Sequence, residues 1–226
     1  MSHRHNGRLV TIAGHSRYLW SAEIYQQANH YGRYLTHGSM QVTGPAGGGK
    51  GGYSQEGWDW CHIPGTTAAV LPMEKMKSNV LNVDQYSGYE EMLLSDEWFA
   101  GGVTHKGKSG AFAMKLHEHD KYNGSLRARK SFFTFENRII CLGSDIENSL
   151  EGAPVHTTLF QNYVGNAPSW EPMPVEGRND ILRDHSNALY FVNGGYIRFM
   201  VGLQHSYHEE TDKPTEGYFE KAYIEH

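Results

Sequence analysis

The spacing of the apolar residues is the feature that most limits what this chain can fold into. Short apolar or alternating runs recur between turn-forming residues, whereas helical periodicity is weak throughout. The runs cover residues 9–13, 111–116, 131–135, 139–142, 157–161, 188–192 and 196–203. Runs of this length are typical of strands, so the pattern predicts an all-β fold, a large antiparallel β-sandwich with few short helices.

The segments between these runs give further local predictions. Residues 136–137 and 193–195 each separate two runs and contain turn-forming residues, which predicts two β-hairpins. Residues 73–77 and 90–94 can each form one or two helical turns. Residues 44–52, which are rich in glycine, predict a mobile loop rather than a linker between domains.

The composition excludes several classes of protein. The chain has 226 residues, of which 38% are hydrophobic and 12% aromatic, so it can bury a core and is unlike a disordered segment. Its net charge of −5 argues against nucleic-acid binding by bulk electrostatics. No apolar stretch approaches the roughly 18 residues of a membrane-spanning helix. The first residues lack an apolar signal segment, so we do not expect this chain to direct its own export.

Metal binding is not predicted. His117-Glu118-His119 places two imidazoles on one face of a strand, but no third or fourth ligand is identifiable from the spacing. The motif therefore reads as a solvated strand end. Cys61 and Cys141, which are the two cysteines, cannot form a four-thiolate zinc site or a disulfide framework.

Trp58, Trp60 and His62 form an aromatic motif with two interpretations. Two tryptophans one residue apart point the same way on an extended chain. Indole rings stack on the apolar faces of sugars, and their N–H groups can bond to hydroxyls. The alternative is a packed aromatic pair in the core of the sandwich, because aromatic residues are usually buried.

Residues 16–34 are dense in polar and aromatic groups and have no clean period, which is typical of a functional loop between strands. Within this segment Glu23 lies between apolar neighbours, where a carboxylate either pairs with a cation or titrates at a raised pH. A surface salt bridge with Arg17 or Arg33 is the simplest interpretation. A hydrolase that pairs Glu23 with Asp59 is a further hypothesis, supported only by the presence of the two acids.

The order of several motifs resembles polysaccharide lyase family 8, and most closely its chondroitin sulfate ABC lyases. The likeness extends over nearly the whole chain and is carried by residues 23–34, 56–67, 90–95, 112–117, 126–133, 137–146, 157–161 and 213–217. It implies that residues 1–226 form the central β-sandwich domain, a supersandwich of the galactose-mutarotase-like type. It also implies that the N-terminal α/α toroid and the small C-terminal β domain of the family are absent from this chain.

The resemblance implies a chemistry as well. Members of the family cleave glycosaminoglycans by β-elimination at a uronic acid, with a catalytic His, Tyr and Arg in the toroid. The isolated chain is therefore expected to be inactive without its toroid, and its partners to be that toroid and a sulfated glycosaminoglycan such as chondroitin or dermatan sulfate. No cofactor is required, although dependence on a divalent cation such as Ca²⁺ occurs in the family. The localisation implied is periplasmic or secreted.

The same resemblance assigns the site residues. Glu23 falls nine positions before Gly32, the spacing of the catalytic glutamate that the β domain supplies in this family. Gln26 stands where some members have Asn. The residues expected to contact substrate are Gln26, Asn29, Arg33, Trp58, Trp60 and His62. The alternative function is a carbohydrate-binding β-sandwich module without catalytic activity.

Overall fold

The computed structural model describes the backbone of residues 1–22, 24–25, 28–44, 52–78, 93–122, 125–165, 181–183, 188–190 and 196–226. Thirteen strands form in these ranges. They are β1 (Ser2–His5), β2 (Arg8–Ala13), β3 (Ser39–Thr43), β4 (Thr67–Ala69), β5 (Ala100–His105), β6 (Ser109–His117), β7 (Arg127–Phe135), β8 (Arg138–Glu147), β9 (Val155–Gly165), β10 (Ile181–Arg183), β11 (Ala188–Tyr190), β12 (Tyr196–Tyr207) and β13 (Pro214–Glu225). The helices described are one α-helical turn, α1 (Met73–Met76), and two 3₁₀ turns, Gly32–Tyr34 and Asp120–Tyr122.

The strands form four antiparallel sheets. Their orders are β1-β2-β3, β5-β6-β7-β8, β12-β13-β9-β4 and β10-β11. The prediction of an all-β, antiparallel sandwich with few short helices is confirmed. No helix in the described ranges is long and apolar enough to cross a membrane.

The alternation of residues along β6 and β7 explains how two of the sheets meet. Phe112 and Met114 on β6 are buried and pair in register with Phe132 and Lys130 on β7. This inner face packs against Val10 and other residues of β2, so that the β1–β3 sheet covers the β5–β8 sheet. The burial of alternate positions is the result expected for a strand with one face in a core.

A second core cluster joins the loops to the sheet that contains β13. Its buried members include aromatic residues of the chain between β2 and β4 together with Phe219 of β13. They are Tyr31, Tyr34, Trp58, Trp60, Cys61, Ile63, Ala68, Met76 and Phe219. The described parts of the segments between strands that contain these residues are thus held by their own apolar side chains.

The local predictions had different outcomes. The turn at residues 136–137 joins β7 to β8 as expected, with Glu136 at φ 49°, and α1 forms at residues 73–76. In the described pairings β11 joins β10 and β12 joins β13, and none of them joins β11 to β12 as the expected hairpin would. The turn at residues 193–195 lies outside the described residues, as do residues 45–51 and 90–92.

Candidate functional site

The candidate site is built on the long loop from residue 14 to residue 38, between β2 and β3. Ser21 is fixed to a neighbouring segment, since its N–H and its Oγ both donate to the carbonyl of Leu93, at 2.6 and 2.9 Å. The Thr36 Oγ1 donates to the Ser21 carbonyl at 2.5 Å, and the His15 Nδ1 lies 3.1 Å from that Oγ1. The two arms of the loop are therefore tied together beside Ser21.

Glu23 and Gln26, the first two predicted site residues, lie outside the described residues. The neighbours of Glu23 are described, and the side chains of Ala22 and Ile24 are 1% and 0% exposed. The backbone on both sides of Glu23 is thus held against the interior of the protein.

Asn29 shapes the loop beyond residue 26. Its Oδ1 accepts a hydrogen bond from the Tyr31 N–H at 2.7 Å, which is the pattern of an Asx turn. The Tyr31 hydroxyl in turn donates to Asp212 at 2.9 Å, and Asp212 also pairs with Lys77. Burial and the bond to Asp212 raise the pKa of Tyr31 above its usual range. Asn29 is half-buried, and its described bonds are to the backbone of the loop.

Arg33 lies in the 3₁₀ turn Gly32–Tyr34 and forms a buried ion pair with Glu118. Its Nε and Nη2 both donate to the Glu118 Oε1, at 2.9 and 2.6 Å, and Nη2 also donates to the Tyr122 carbonyl at 3.0 Å. The guanidinium lies over the Tyr122 ring at 4.2 Å. The Arg33 guanidinium, which was predicted to contact the substrate, therefore faces a carboxylate of the protein itself.

Trp58 and Trp60 are both in the second core cluster, at 5% and 4% exposure. Trp60 stacks on Tyr31, with ring centroids 6.1 Å apart, and Trp58 packs edge-on against Phe219 at 5.9 Å. Of the two interpretations of this motif, the packed aromatic pair describes where the structure places the rings.

His62 belongs to a buried polar network centred on Asp59. The Asp59 Oδ2 accepts from the His62 Nδ1 at 2.8 Å and from the Lys221 Nζ at 2.5 Å, and the His62 Nε2 lies 2.9 Å from the His156 Nδ1. Burial alone would raise the pKa of Asp59, but its pairing with His62 and Lys221 holds that pKa well below its usual range. Burial and the adjacent His62 lower the pKa of His156 to about 4. The network ties the turn after Trp58 to β9 and β13.

The histidines at the end of β6 are occupied by local contacts. The His117 Nδ1 lies 2.5 Å from an Asp96 oxygen, and the His119 Nδ1 accepts from the Lys121 N–H at 3.0 Å. In the part of the chain that the structure describes, no group of three or more His, Cys, Asp or Glu side chains could hold a metal ion.

An exposed cluster at the start of the loop was not predicted from the sequence. Arg17, Tyr18 and Trp98 come together there on the surface. The composition of residues 16–34 was the available signal. It could not identify Trp98, because that residue reaches the cluster through tertiary contacts.

The antiparallel sheets, of which the β1–β3 sheet packs on the β5–β8 sheet, make this a β-sandwich domain. The sequence profile described as "Polysaccharide lyase family 8, super-sandwich domain" matches residues 1–214. The chain therefore belongs to polysaccharide lyase family 8.

Similar proteins agree with this assignment. The chain is 48% identical to a chondroitin sulfate ABC exolyase of Bacteroides thetaiotaomicron, over 94% of this chain and 22% of that protein. It is 40% identical to the chondroitin sulfate ABC exolyase of Proteus vulgaris, over 96% of this chain and 23% of that protein. The chondroitin AC lyase of Streptomyces coelicolor A3 shares the fold at a TM-score of 0.71 and 20% identity, covering 100% of this chain and 29% of that structure. The chain thus spans less than a quarter of the length of these two curated relatives.

Proposed function

We propose that this chain is the central β-sandwich of a glycosaminoglycan lyase that acts on chondroitin or dermatan sulfate. The observation that carries the proposal is the 48% identity with a chondroitin sulfate ABC exolyase along 94% of the chain. Since the match spans 22% of that relative, the remaining parts of the active site belong to other segments of a longer protein. Those segments are an α/α toroid with the catalytic His, Tyr and Arg, and a small C-terminal β domain.

The proposed reaction is β-elimination at the uronic acid. A base removes the C5 proton, the C–H electron pair forms the C4–C5 double bond, and the C4–O4 bond breaks. An acid protonates the departing O4 oxygen, so that the products are a new hydroxyl end and an unsaturated uronate. Neutralisation or hydrogen bonding of the C6 carboxylate stabilises the enolate-like charge that develops during proton removal.

In this proposal Glu23 is a positioning residue rather than the base. A carboxylate on the sandwich loop would hold the Arg and Tyr of the toroid by charge-assisted hydrogen bonds. The bonds of Ser21 to Leu93 and of Thr36 to Ser21 support this role, because they fix the loop within two residues of Glu23.

The other residues predicted to contact substrate fall into two groups, four that are buried and two that we propose as direct contacts. Arg33, Trp58, Trp60 and His62 are buried, and we propose that they act on the substrate indirectly. Arg33 and Trp60 hold the loop, and Trp58 and His62 hold the turn that packs on it. Gln26 and Asn29 remain the proposed direct contacts. We also propose a periplasmic or extracellular location, because a sulfated polysaccharide is too large and too charged to cross a membrane unaided.

The test compares the 226-residue chain with the longer protein, each incubated with chondroitin sulfate. We expect the longer protein to generate the ultraviolet absorbance of an unsaturated uronate and the chain alone to generate none. E23Q in the longer protein should lower kcat by about a hundredfold, the scale expected for a misplaced catalytic group. New reducing ends without absorbance would indicate a hydrolase, and binding without any cleavage would indicate a carbohydrate-binding module. Either result would contradict the proposal.

A further inference from the structure

An exposed cluster of aromatic rings around one guanidinium lies at the start of the loop. The Cζ of Arg17 lies 4.6 Å from the centre of the Trp98 ring and 5.7 Å from the centre of the Tyr18 ring. Tyr18 is 70% exposed, Trp98 67% and Trp20 47%. We call Arg17, Tyr18 and Trp98 the Arg17 platform.

The backbone beneath the Arg17 platform is held in place. The Arg17 N–H donates to the Glu97 carbonyl at 2.7 Å, and Ser16 and Leu19 exchange two backbone bonds. Trp20 pairs with Leu94 in an isolated β-bridge. Because residues 16–20 and residues 94–97 are bonded to each other, the rings are presented by ordered backbone. This order lowers the entropic cost of binding.

Arg17 contributes an exposed positive charge. Among the described residues its guanidinium has no ion-pair partner, and its described contacts are with the two rings. The neighbouring acids are already engaged, since Asp96 pairs with His117 and Glu97 lies within 4 Å of Lys115 and Arg127, at 3.7 and 3.9 Å. An exposed cation between aromatic faces favours a ligand with an anion and a flat apolar face.

We propose, on the basis of the function proposed above, that the Arg17 platform binds an acidic sugar unit of the glycan chain. Arg17 bonds to a carboxylate or sulfate, as guanidinium groups do in two-point contacts, and the rings of Trp98 and Tyr18 stack on the sugar. The bonds that join Trp20 and Ser21 to residues 93–94 place this subsite beside the loop that carries residue 23. The platform would then hold a sugar unit next to the one that reacts.

The test measures binding by calorimetry with three probes: a chondroitin sulfate hexasaccharide, an unsulfated chondroitin hexasaccharide and neutral cellohexaose. We expect the acidic probes to bind and cellohexaose not to bind. R17A and W98A should each weaken binding of the acidic probes about tenfold, the scale of one lost charge-assisted bond or stacking contact. A similar loss for both acidic probes identifies the carboxylate as the anion, and a loss confined to the sulfated probe identifies the sulfate.

Two matched controls separate the site from general surface effects. R129A removes an exposed arginine on β7, and F135A removes a ring that is 46% exposed at the end of the same strand. Neither should change the Kd. The proposal is overturned if R17A and W98A bind like the unaltered chain, if the chain binds no acidic probe, or if cellohexaose binds equally well.

Fluorescence quenching in the longer protein provides a second readout. If the Arg17 platform is a sugar site, acrylamide should quench the fluorescence of Trp98 until the glycan is added. Without glycan, the acrylamide-quenched fluorescence of W98A should be smaller than that of the unaltered protein. If the two are equal, another domain covers the Trp98 ring and the proposed subsite is wrong. If R17A weakens binding but the longer protein forms no unsaturated product, the subsite is supported and the lyase function is wrong. If the longer protein forms unsaturated product and R17A leaves KM unchanged, the lyase function is supported and the subsite is wrong.

Discussion

The Nη2 of Arg33 lies 2.6 Å from the Oε1 of Glu118, and the two side chains are 6% and 2% exposed. The pair joins the long loop between β2 and β3 to the segment just after β6, across 85 positions of sequence. Burial raises the pKa of Glu118 despite the attraction of the guanidinium. Because each charge is stabilised inside the protein mainly by the other, the loss of either one leaves an uncompensated buried charge.

E118Q should therefore destabilise the fold strongly. We expect the free energy of unfolding to fall by about 3 kcal/mol, because Arg33 stays buried without its counter-ion. Urea denaturation measures this loss. The double variant R33M/E118M should lose less than E118Q alone, since it removes both charges together. A loss below about 1 kcal/mol for E118Q would show that the pair contributes as little as a surface salt bridge.

The buried His15 predicts a dependence of stability on pH. Burial lowers its pKa to about 4, below its ordinary value of 6.5, so the folded state favours neutral imidazole. Between those two values the unfolded chain binds more protons, and stability is therefore lost as the pH falls from 6.5 to 4. The loss from His15 alone should approach roughly 3 kcal/mol.

Unfolding midpoints measured across this pH range test the role of His15. H15Q should show a smaller loss on acidification than the unaltered chain. Replacement of the exposed His105 by Gln is the matched control and should leave the pH profile unchanged. A profile for H15Q that parallels that of the unaltered chain would assign the acid sensitivity to other groups, such as His156.

Two glycines with positive φ give a matched pair of substitutions. Gly65 has φ +84°, and a Cβ there would lie 2.6 Å from the Met40 nitrogen and 2.7 Å from the Gly38 oxygen. Gly107 has φ +65° with nothing within 4 Å. G65A should cost about 3 kcal/mol or more, because backbone must move, whereas G107A should cost about 1 kcal/mol for conformational strain alone. Thermal unfolding should show a larger loss of stability for G65A than for G107A. Equal losses would mean that the backbone around Gly65 moves to accommodate the added methyl group.

Thr36 tests whether bracing of the loop matters to catalysis. T36V in the longer protein removes the bond to the Ser21 carbonyl, and we expect kcat to fall about tenfold with little change in KM. T36S keeps the hydroxyl and should restore kcat. T43V is a matched control on β3, where the hydroxyl makes only a long bond of 3.4 Å to the Leu9 carbonyl. A fall in thermal stability with kcat preserved would reduce the role of Thr36 to folding.

Several of the strands could be predicted from the sequence, whereas β1, β3, β4, β5, β10 and β13 were not among the predicted runs. The alternation in residues 131–135 and the turn at residues 136–137 specify the β7–β8 hairpin from neighbouring residues alone, because strand period and turn chemistry are local properties. The same local information could not assign partners over long distances. β13 pairs with β12 on one side and with β9, some fifty residues earlier, on the other, and only packing of the whole sheet selects that partner.

The chemistry of individual side chains was likewise predictable from the sequence only in part. The sequence alone indicated a polar and aromatic loop at residues 16–34, a glycan-lyase family and a tryptophan pair, since composition and motif order carry those signals. It could not tell that Arg33 is buried against Glu118 while Arg17 stands exposed between two rings. Tertiary structure decided this, because the free energy of a charge depends on which groups the fold brings within a few ångströms of it, and those groups are distant in sequence.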